Sequence, residues 1–299
     1  MHKAHISILA ANIIYAANFP IAKEVMQFIP PFPLVLLRFA GALMLFWVAG
    51  WTVVKEKVEK KDLFRILALA PLGVVINQML FLKGLHLTSP INAAIMMITT
   101  PILVMVIASI IIKDKMTILK TAGIVIGFAG AAFLVYSNSL PNGEGRAGAS
   151  SALGDLCVFI NALSWGTFLV MLKPLMQKYH TITILKWCFL FGIPMVFPFS
   201  IGDFFEINWS IIPFHIYLYT AYVIVATTFF AYLLNIYALK ELSPTVVSAY
   251  IYLQPVLTAL MAVFIFSNDV LTGGKVISAL LIFGGVYLVG RKGESKSKA

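Results

Sequence analysis

Apolar stretches of about twenty residues follow one another along this chain, parted only by short polar breaks. A stretch of ~20 apolar residues is what an α-helix needs to cross the hydrocarbon core of a bilayer. Ten are found, over about 6–27, 33–54, 63–86, 90–112, 117–136, 153–176, 181–201, 212–237, 244–267 and 271–290. A water-soluble fold fails on charge. Charged residues make up 11% of the chain and hydrophobic ones 61%, whereas a soluble domain carries roughly 25% charged residues. The sequence therefore predicts an all-α integral membrane protein with ten transmembrane helices. The first run, from Ile6 to about Met26, is longer than the apolar core of a signal peptide, and no small-residue cleavage site follows it. It is read as an uncleaved first span.

Orientation follows from the basic residues. With a cytoplasmic N-terminus, 17 of the 22 Lys and Arg fall on inside segments, and Lys23, Arg38, Lys83, Arg146 and Lys275 are the exceptions. Cytoplasmic enrichment of Lys and Arg is the positive-inside pattern. It places both termini inside, as an even span count also requires. The net charge of +10 thus needs no nucleic-acid partner. Cys157 and Cys188 both lie in apolar stretches, and buried free thiols are the expectation.

The two halves of the chain repeat. Ser89-Pro90 and Pro101 match Ser243-Pro244 and Pro255 at an offset of 154, and the match continues from Gly130, Leu134 and Val135 to Gly284, Leu288 and Val289. Earlier in each half the offset is 150: Tyr15-Ala16 meets Trp165-Gly166, and Lys23 meets Lys173. Residues 1–136 and 153–290 are therefore read as two five-helix repeats, with 137–152 an extracytoplasmic linker and 291–299 a cytoplasmic tail. Five is odd, so the second repeat crosses the membrane in the opposite sense. Two inverted five-helix repeats are an arrangement shared by many secondary transporters, in which equivalent halves exchange roles as gates.

These motifs, in this order and duplicated, carry a resemblance. They are Ser164-Trp165-Gly166 in the first helix of a repeat, Leu37-Arg38-Phe39 in the second helix, and Leu85 to Pro101 with its partner Leu239 to Pro255. Gly123, Gly127 and Gly130, and Gly284 and Gly285, then mark the last helix of each half. The chain resembles the EamA-type ten-helix members of the drug/metabolite transporter superfamily over nearly its whole length. It departs from the family where Gly-Glu often follows the fourth helix of a repeat: here the residues are Lys113-Asp114 and Asn268-Asp269. Tyr15-Ala16 also replaces the usual Trp-Gly. The resemblance implies a central cavity lined by helices 1, 3, 4, 6, 8 and 9. It also implies alternating-access transport of small metabolites, commonly export of amino acids or related compounds, across a bacterial inner membrane. A broad-specificity drug or metabolite efflux protein and a non-transporting membrane receptor are the alternatives.

Polar residues on those helices are the candidate substrate contacts. They are Asn12, Tyr15 and Asn18, three apart on helix 1; Asn77 and Gln78 on helix 3; Thr100 on helix 4; Asn161 and Trp165 on helix 6; Tyr232 and Asn235 on helix 8; and Tyr250 and Gln254 on helix 9. Each has a second reading as interhelical glue. Tyr15 and Trp165 fall about mid-span, so they either pack the core or stack on a substrate and gate it. Lys23 and Arg38 either attract a carboxylate or, for Lys23, snorkel to the outer interface. Arg38 needs a partner, for which Glu24 or a helix-end carbonyl is available. Pro101 and Pro255 either hinge their helices or bend them statically.

No acidic residue is placed in mid-membrane, which favours facilitated diffusion or exchange over proton coupling. No Gly-x-Ser-x-Gly, phosphate loop or metal-ligand spacing of His occurs, so no enzyme and no cofactor is expected. The expected partners are a small-molecule substrate and membrane lipid, with a monomer and a homodimer both compatible with the pattern.

Overall fold

The computed structural model describes residues 2–54, 56–88, 93, 96–138, 152–264 and 273–291. Ser89-Pro90, Asn268-Asp269, most of the predicted 137–152 linker and nearly all of the predicted 291–299 tail lie outside them. The described residues are helical, with no strand. We label the helices α1 (His2–Val25), α2 (Pro31–Val53), α3 (Lys60–Leu87), α4 (Thr100–Ile111), α5 (Ile118–Asn138), α6 (Ala152–Met176), α7 (Thr181–Glu206), α8 (Phe214–Glu241), α9 (244–264) and α10 (Gly273–Arg291).

Six helices, α1, α2, α3, α6, α7 and α8, are long and apolar enough to cross a membrane. The other four apolar stretches are represented by shorter or interrupted helices. In α9 the segment Pro244–Ala249 gives way to a 3-10 turn at Tyr250–Tyr252 before Leu253–Phe264. Large apolar side chains face outward: Met44, Ile110 and Phe214 are 70%, 72% and 76% exposed. Apolar surface on that scale belongs against lipid. The chain is a multi-pass membrane protein.

Local sequence sets the helix boundaries. Pro30 and Pro31 open α2, where a missing N–H costs nothing. The Nδ1 of His180 caps α7 by accepting from Ile182 N, and Ser243 caps α9 by accepting from Val246 N. Helix α4 closes through Asp114 N to Ala108 O at 3.1 Å, with Lys113 at φ 52°. That left-handed position favours glycine.

The heaviest helix pairings, α5 with α10, α3 with α6, α1 with α8 and α2 with α7, all join the first half to the second. The halves interlock and do not form separate bodies. The α5–α10 seam is built on small residues: a Cβ at Gly123 would sit 2.7 Å from Gly285 O, and one at Gly285 would sit 2.6 Å from Gly123 O. Glycines let helix backbones approach this closely.

Two helices widen locally. In α3 a π segment spans Pro71–Val75, and in α8 a longer one spans Val223–Ala231. Adding 154 to 71–75 gives 225–229, inside the second segment. Each wide turn leaves carbonyls for other donors. The Ser164 hydroxyl donates to Leu72 O at 2.7 Å, and the Thr228 hydroxyl to Val223 O at 2.8 Å.

The equivalent lysines are also treated alike. Lys23 Nζ donates to Leu85 O, His86 O and Thr88 O at the end of α3. Lys173 Nζ donates to Leu239 O, Lys240 O and Leu242 O at the end of α8. The three acceptors match one for one at the offset of 154. The Lys23 ammonium is held by the orphan carbonyls of a helix terminus, where cations are favoured. The physical reason is reach. The long stem of α1's last-turn lysine lies beside the end of its own repeat's third helix.

Candidate functional site

Between the halves lies a cavity of about 70 Å³. Helix α1 supplies Tyr15, Asn18 and Phe19, α2 supplies Arg38, and α3 supplies Asn77, Gln78 and Phe81. Helices α6 and α8 add Asn161 and Trp165, then Thr227, Tyr232 and Asn235, and Gln254 comes from α9. The π segments place the α3 and α8 groups here, since Asn77 and Gln78 directly follow one and Thr227 and Tyr232 lie in or next to the other.

A hydrogen-bond network crosses the cavity wall. The Tyr232 hydroxyl donates to Asn77 Oδ1 at 2.8 Å and accepts from Gln78 Nε2 at 3.1 Å. Gln78 and Tyr232 are equivalent at the offset of 154, yet they touch. Phe39 and Phe189, equivalent at the offset of 150, touch too, with ring centroids 5.2 Å apart. Asn161 Nδ2 donates to Asn77 O at 2.7 Å. Arg38 is 3% exposed, and its Nε donates to Thr228 Oγ1 at 2.8 Å.

Aromatic rings pack edge-on around the same space. Tyr232 meets Trp165 at 5.5 Å between centroids and Tyr15 at 6.5 Å. In this conformation they pack against one another. The volume sets a limit: a buried water needs roughly 10–15 Å³ and a benzene-binding cavity measures ~150 Å³. The cavity therefore has room for several waters, and an aromatic solute enters only after helices separate.

Seven polar atoms in this lining have no hydrogen-bond partner: Tyr15 Oη, Asn18 Oδ1, Arg38 Nη1, Gln78 Oε1, Asn161 Oδ1, Thr227 Oγ1 and Asn235 Oδ1. Buried polar atoms are normally satisfied, and an orphan costs roughly 1–3 kcal/mol. Seven such atoms gather around this one small cavity.

Ten of the residues singled out from the sequence line this space: Tyr15, Asn18, Arg38, Asn77, Gln78, Asn161, Trp165, Tyr232, Asn235 and Gln254. Six do not. Asn12 lies behind the wall, where its Oδ1 accepts from Gln254 Nε2 at 2.8 Å. Thr100 is buried away from the cavity. Tyr250 turns to the start of α1 and bonds His5 Nδ1 at 2.7 Å. Pro101 is in the first turn of α4 and Pro255 near the start of Leu253–Phe264, both just beyond a break in helix. Lys23 sits on its carbonyls. The expected partners of Arg38, Glu24 or a helix end, give way to Thr228, which lies 190 residues away in the other half. Thr227 and the apolar Phe19, Phe81, Met97 and Ile251 were not singled out.

Hydrogen bonds tie the halves together at both ends of the bundle. Where α2–α3 meets α6–α7, Asp62 accepts from Lys178 Nζ, from Tyr179 Oη at 2.8 Å and from Arg65 Nη1 at 3.1 Å. Glu59 also pairs with Lys178 at 2.8 Å, and Glu56 Oε1 accepts from His180 N at 2.8 Å. The Asp62 and Glu59 carboxylates hold the Lys178 pKa above its ordinary value. Nearby, Asp114 accepts from Lys120 Nζ at 2.8 Å and from Thr245 Oγ1 at 3.1 Å. At the opposite end Ser200 Oγ donates to Phe32 O at 2.9 Å and Thr88 Oγ1 donates to the Asp155 carboxylate at 2.7 Å.

Comparison with known proteins agrees with this architecture. The EamA-like transporter family matches the chain twice, over residues 2–136 and 152–291. An "Uncharacterized transporter" of Archaeoglobus fulgidus is 25% identical, over 97% of this chain and 98% of its own. The "Uncharacterized transporter YyaM" of Bacillus subtilis is 25% identical over 94% of this chain and 92% of its own. A WAT1-related protein of Arabidopsis thaliana is 25% identical over 96% of this chain and 85% of its own. A crystal structure superposes with a TM-score of 0.73 at 18% identity, covering 96% of both chains, and so shares the fold. The chain is a membrane transporter and belongs to the EamA-like transporter family, within the drug/metabolite transporter superfamily.

Proposed function

We propose that this chain is a secondary transporter that exports small metabolites, amino acids or related compounds, across the inner membrane by alternating access. Ten spans form two inverted five-helix repeats, 1–136 and 153–290, with both termini cytoplasmic and 137–152 outside. The observation that carries this reading is the cluster of seven unpartnered polar atoms around a cavity to which both halves contribute. Such a site, between repeats and flanked by discontinuous helices, is what alternating access uses. Contacts between equivalent residues, Gln78 with Tyr232 and Phe39 with Phe189, support a two-fold relation of the halves. The volume of about 70 Å³ favours a small metabolite over a drug-sized solute, whose pockets run to ~300–1,000 Å³.

No carboxylate lines the cavity among the described residues, which supports facilitated diffusion or exchange over proton coupling. The test is flux into proteoliposomes with an amino-acid and metabolite panel, with and without a pH gradient. Saturable flux of at least one member without the gradient is expected. Binding without movement would favour a receptor, and flux strictly dependent on the gradient would overturn the uncoupled mode. Trp165→Ala is expected to reduce flux while the protein still folds. Unchanged flux of every solute would remove Trp165 from the site.

A further inference from the structure

Arg38 is a buried cation with no counter-charge. Its side chain lines the cavity, its Nε donates to Thr228 Oγ1, and its Nη1 has no partner. No ion pair joins it to any carboxylate among the described residues. Burying an unpaired charge is strongly unfavourable. The equivalent position in the second half, at the offset of 150, is Cys188, a fully buried free thiol. The arginine is thus a feature of one half of a duplicated frame, and it opens into the cavity.

The other unpartnered groups are neutral. Asn18, Gln78, Asn161 and Asn235 each present an amide oxygen, and Tyr15 and Thr227 a hydroxyl. The cavity therefore asks for one anionic group on its ligand. It accepts an ammonium through amide oxygens without requiring one. A guanidinium matches the planar two-oxygen geometry of a carboxylate better than any other cationic side chain.

We propose that Arg38 is the carboxylate-binding residue of the cavity, and that the solute is defined by its carboxylate, with an amino group optional. The proposal rests on the reading of the cavity as the transport site and names the chemical class that site takes.

The test uses the purified full chain in detergent and follows its thermal unfolding midpoint. Ligands come in matched sets sharing a side chain: leucine, 4-methylpentanoate, leucinamide and 3-methylbutylamine, with the corresponding alanine and phenylalanine sets. Ligands that bind the native state raise the midpoint. In at least one set the two carboxylates are expected to raise it, with the amide and the amine doing so at least tenfold less potently. Arg38→Gln is expected to erase that preference. Arg38→Lys, which keeps the charge and loses the fork, should retain it at about tenfold weaker affinity. If Arg38→Gln does not fold, Arg38→Lys decides alone, and an unchanged affinity or a lost preference in it overturns the proposal. An amine or amide as effective as its acid, a preference surviving in Arg38→Gln, or no shift with any carboxylate would each overturn it. So would sodium chloride alone reproducing the shift, which would assign Arg38 to an inorganic anion. Flux of a cationic solute in proteoliposomes without a carboxylate effect would sink this inference and leave the transporter reading standing. A carboxylate-specific shift with no flux of any solute would do the reverse.

Discussion

Lys23 and Lys173 occupy equivalent places in the two halves and do the same thing, each clamping three carbonyls at a helix end. Gln78 and Tyr232 also occupy equivalent places but differ in chemistry, as do Arg38 and Cys188. The difference separates frame from site. A helix terminus presents the same orphan carbonyls in either half, so the same cation serves both. A solute with distinct ends has no two-fold symmetry, so the groups around it have no reason to match.

The sharpest way to break this comparison is at the glycine seam. Gly123→Leu or Gly285→Leu would drive a side chain into backbone that cannot yield, and a loss of about 3 kcal/mol or more in unfolding free energy is expected. The equivalent pair Gly130 and Gly284 tests asymmetry within the seam. A Cβ at Gly130 would lie 2.8 Å from Leu281, whereas one at Gly284 would meet nothing within 4 Å. Gly130→Ala should therefore destabilise, and Gly284→Ala should gain up to ~1 kcal/mol of helix propensity.

Next in size are the clamps. Lys23→Met and Lys173→Met each strand three carbonyls, and losses of roughly 1–3 kcal/mol, similar in the two variants, are expected by denaturant unfolding. A neutral Lys23→Met would return that lysine to snorkelling and end the equivalence. Tyr232→Phe deletes the bridge between Asn77 and Gln78, and a loss of about 1–2 kcal/mol is expected. The same change at exposed Tyr287 is the neutral control. The smallest effect is a gain: Lys113→Gly relieves a left-handed residue and is expected to add about 1 kcal/mol of thermal stability.

Much of this was legible before any coordinates. Apolar run lengths gave the helical membrane class, and amides, aromatics and one arginine inside those runs marked ten residues that line the cavity. What escaped has physical causes. Phe19, Phe81 and Ile251 line the space, but an apolar wall residue has the same pattern as a core residue. The partner of Arg38 comes from the other half, beyond the reach of any local rule. Thr227 was passed over because it sits in a turn that does not keep the 3.6-residue period on which face assignments rest. Lys113-Asp114 looked like a weakened family motif. Its backbone angle shows a left-handed turn carried by a costlier residue than glycine.

The wide turns have a consequence of their own. A π turn is one extra residue taken up within a helix, and one residue is worth about 100° of rotation. Downstream of Pro71–Val75 the helix is therefore out of phase with its upstream half, and Gln78 faces the cavity because of that slip. The sequence between the turn and the cavity is, in effect, written in a shifted reading frame. Deleting one residue from the turn would restore the phase. It would turn Asn77 and Gln78 off the cavity without altering either of them.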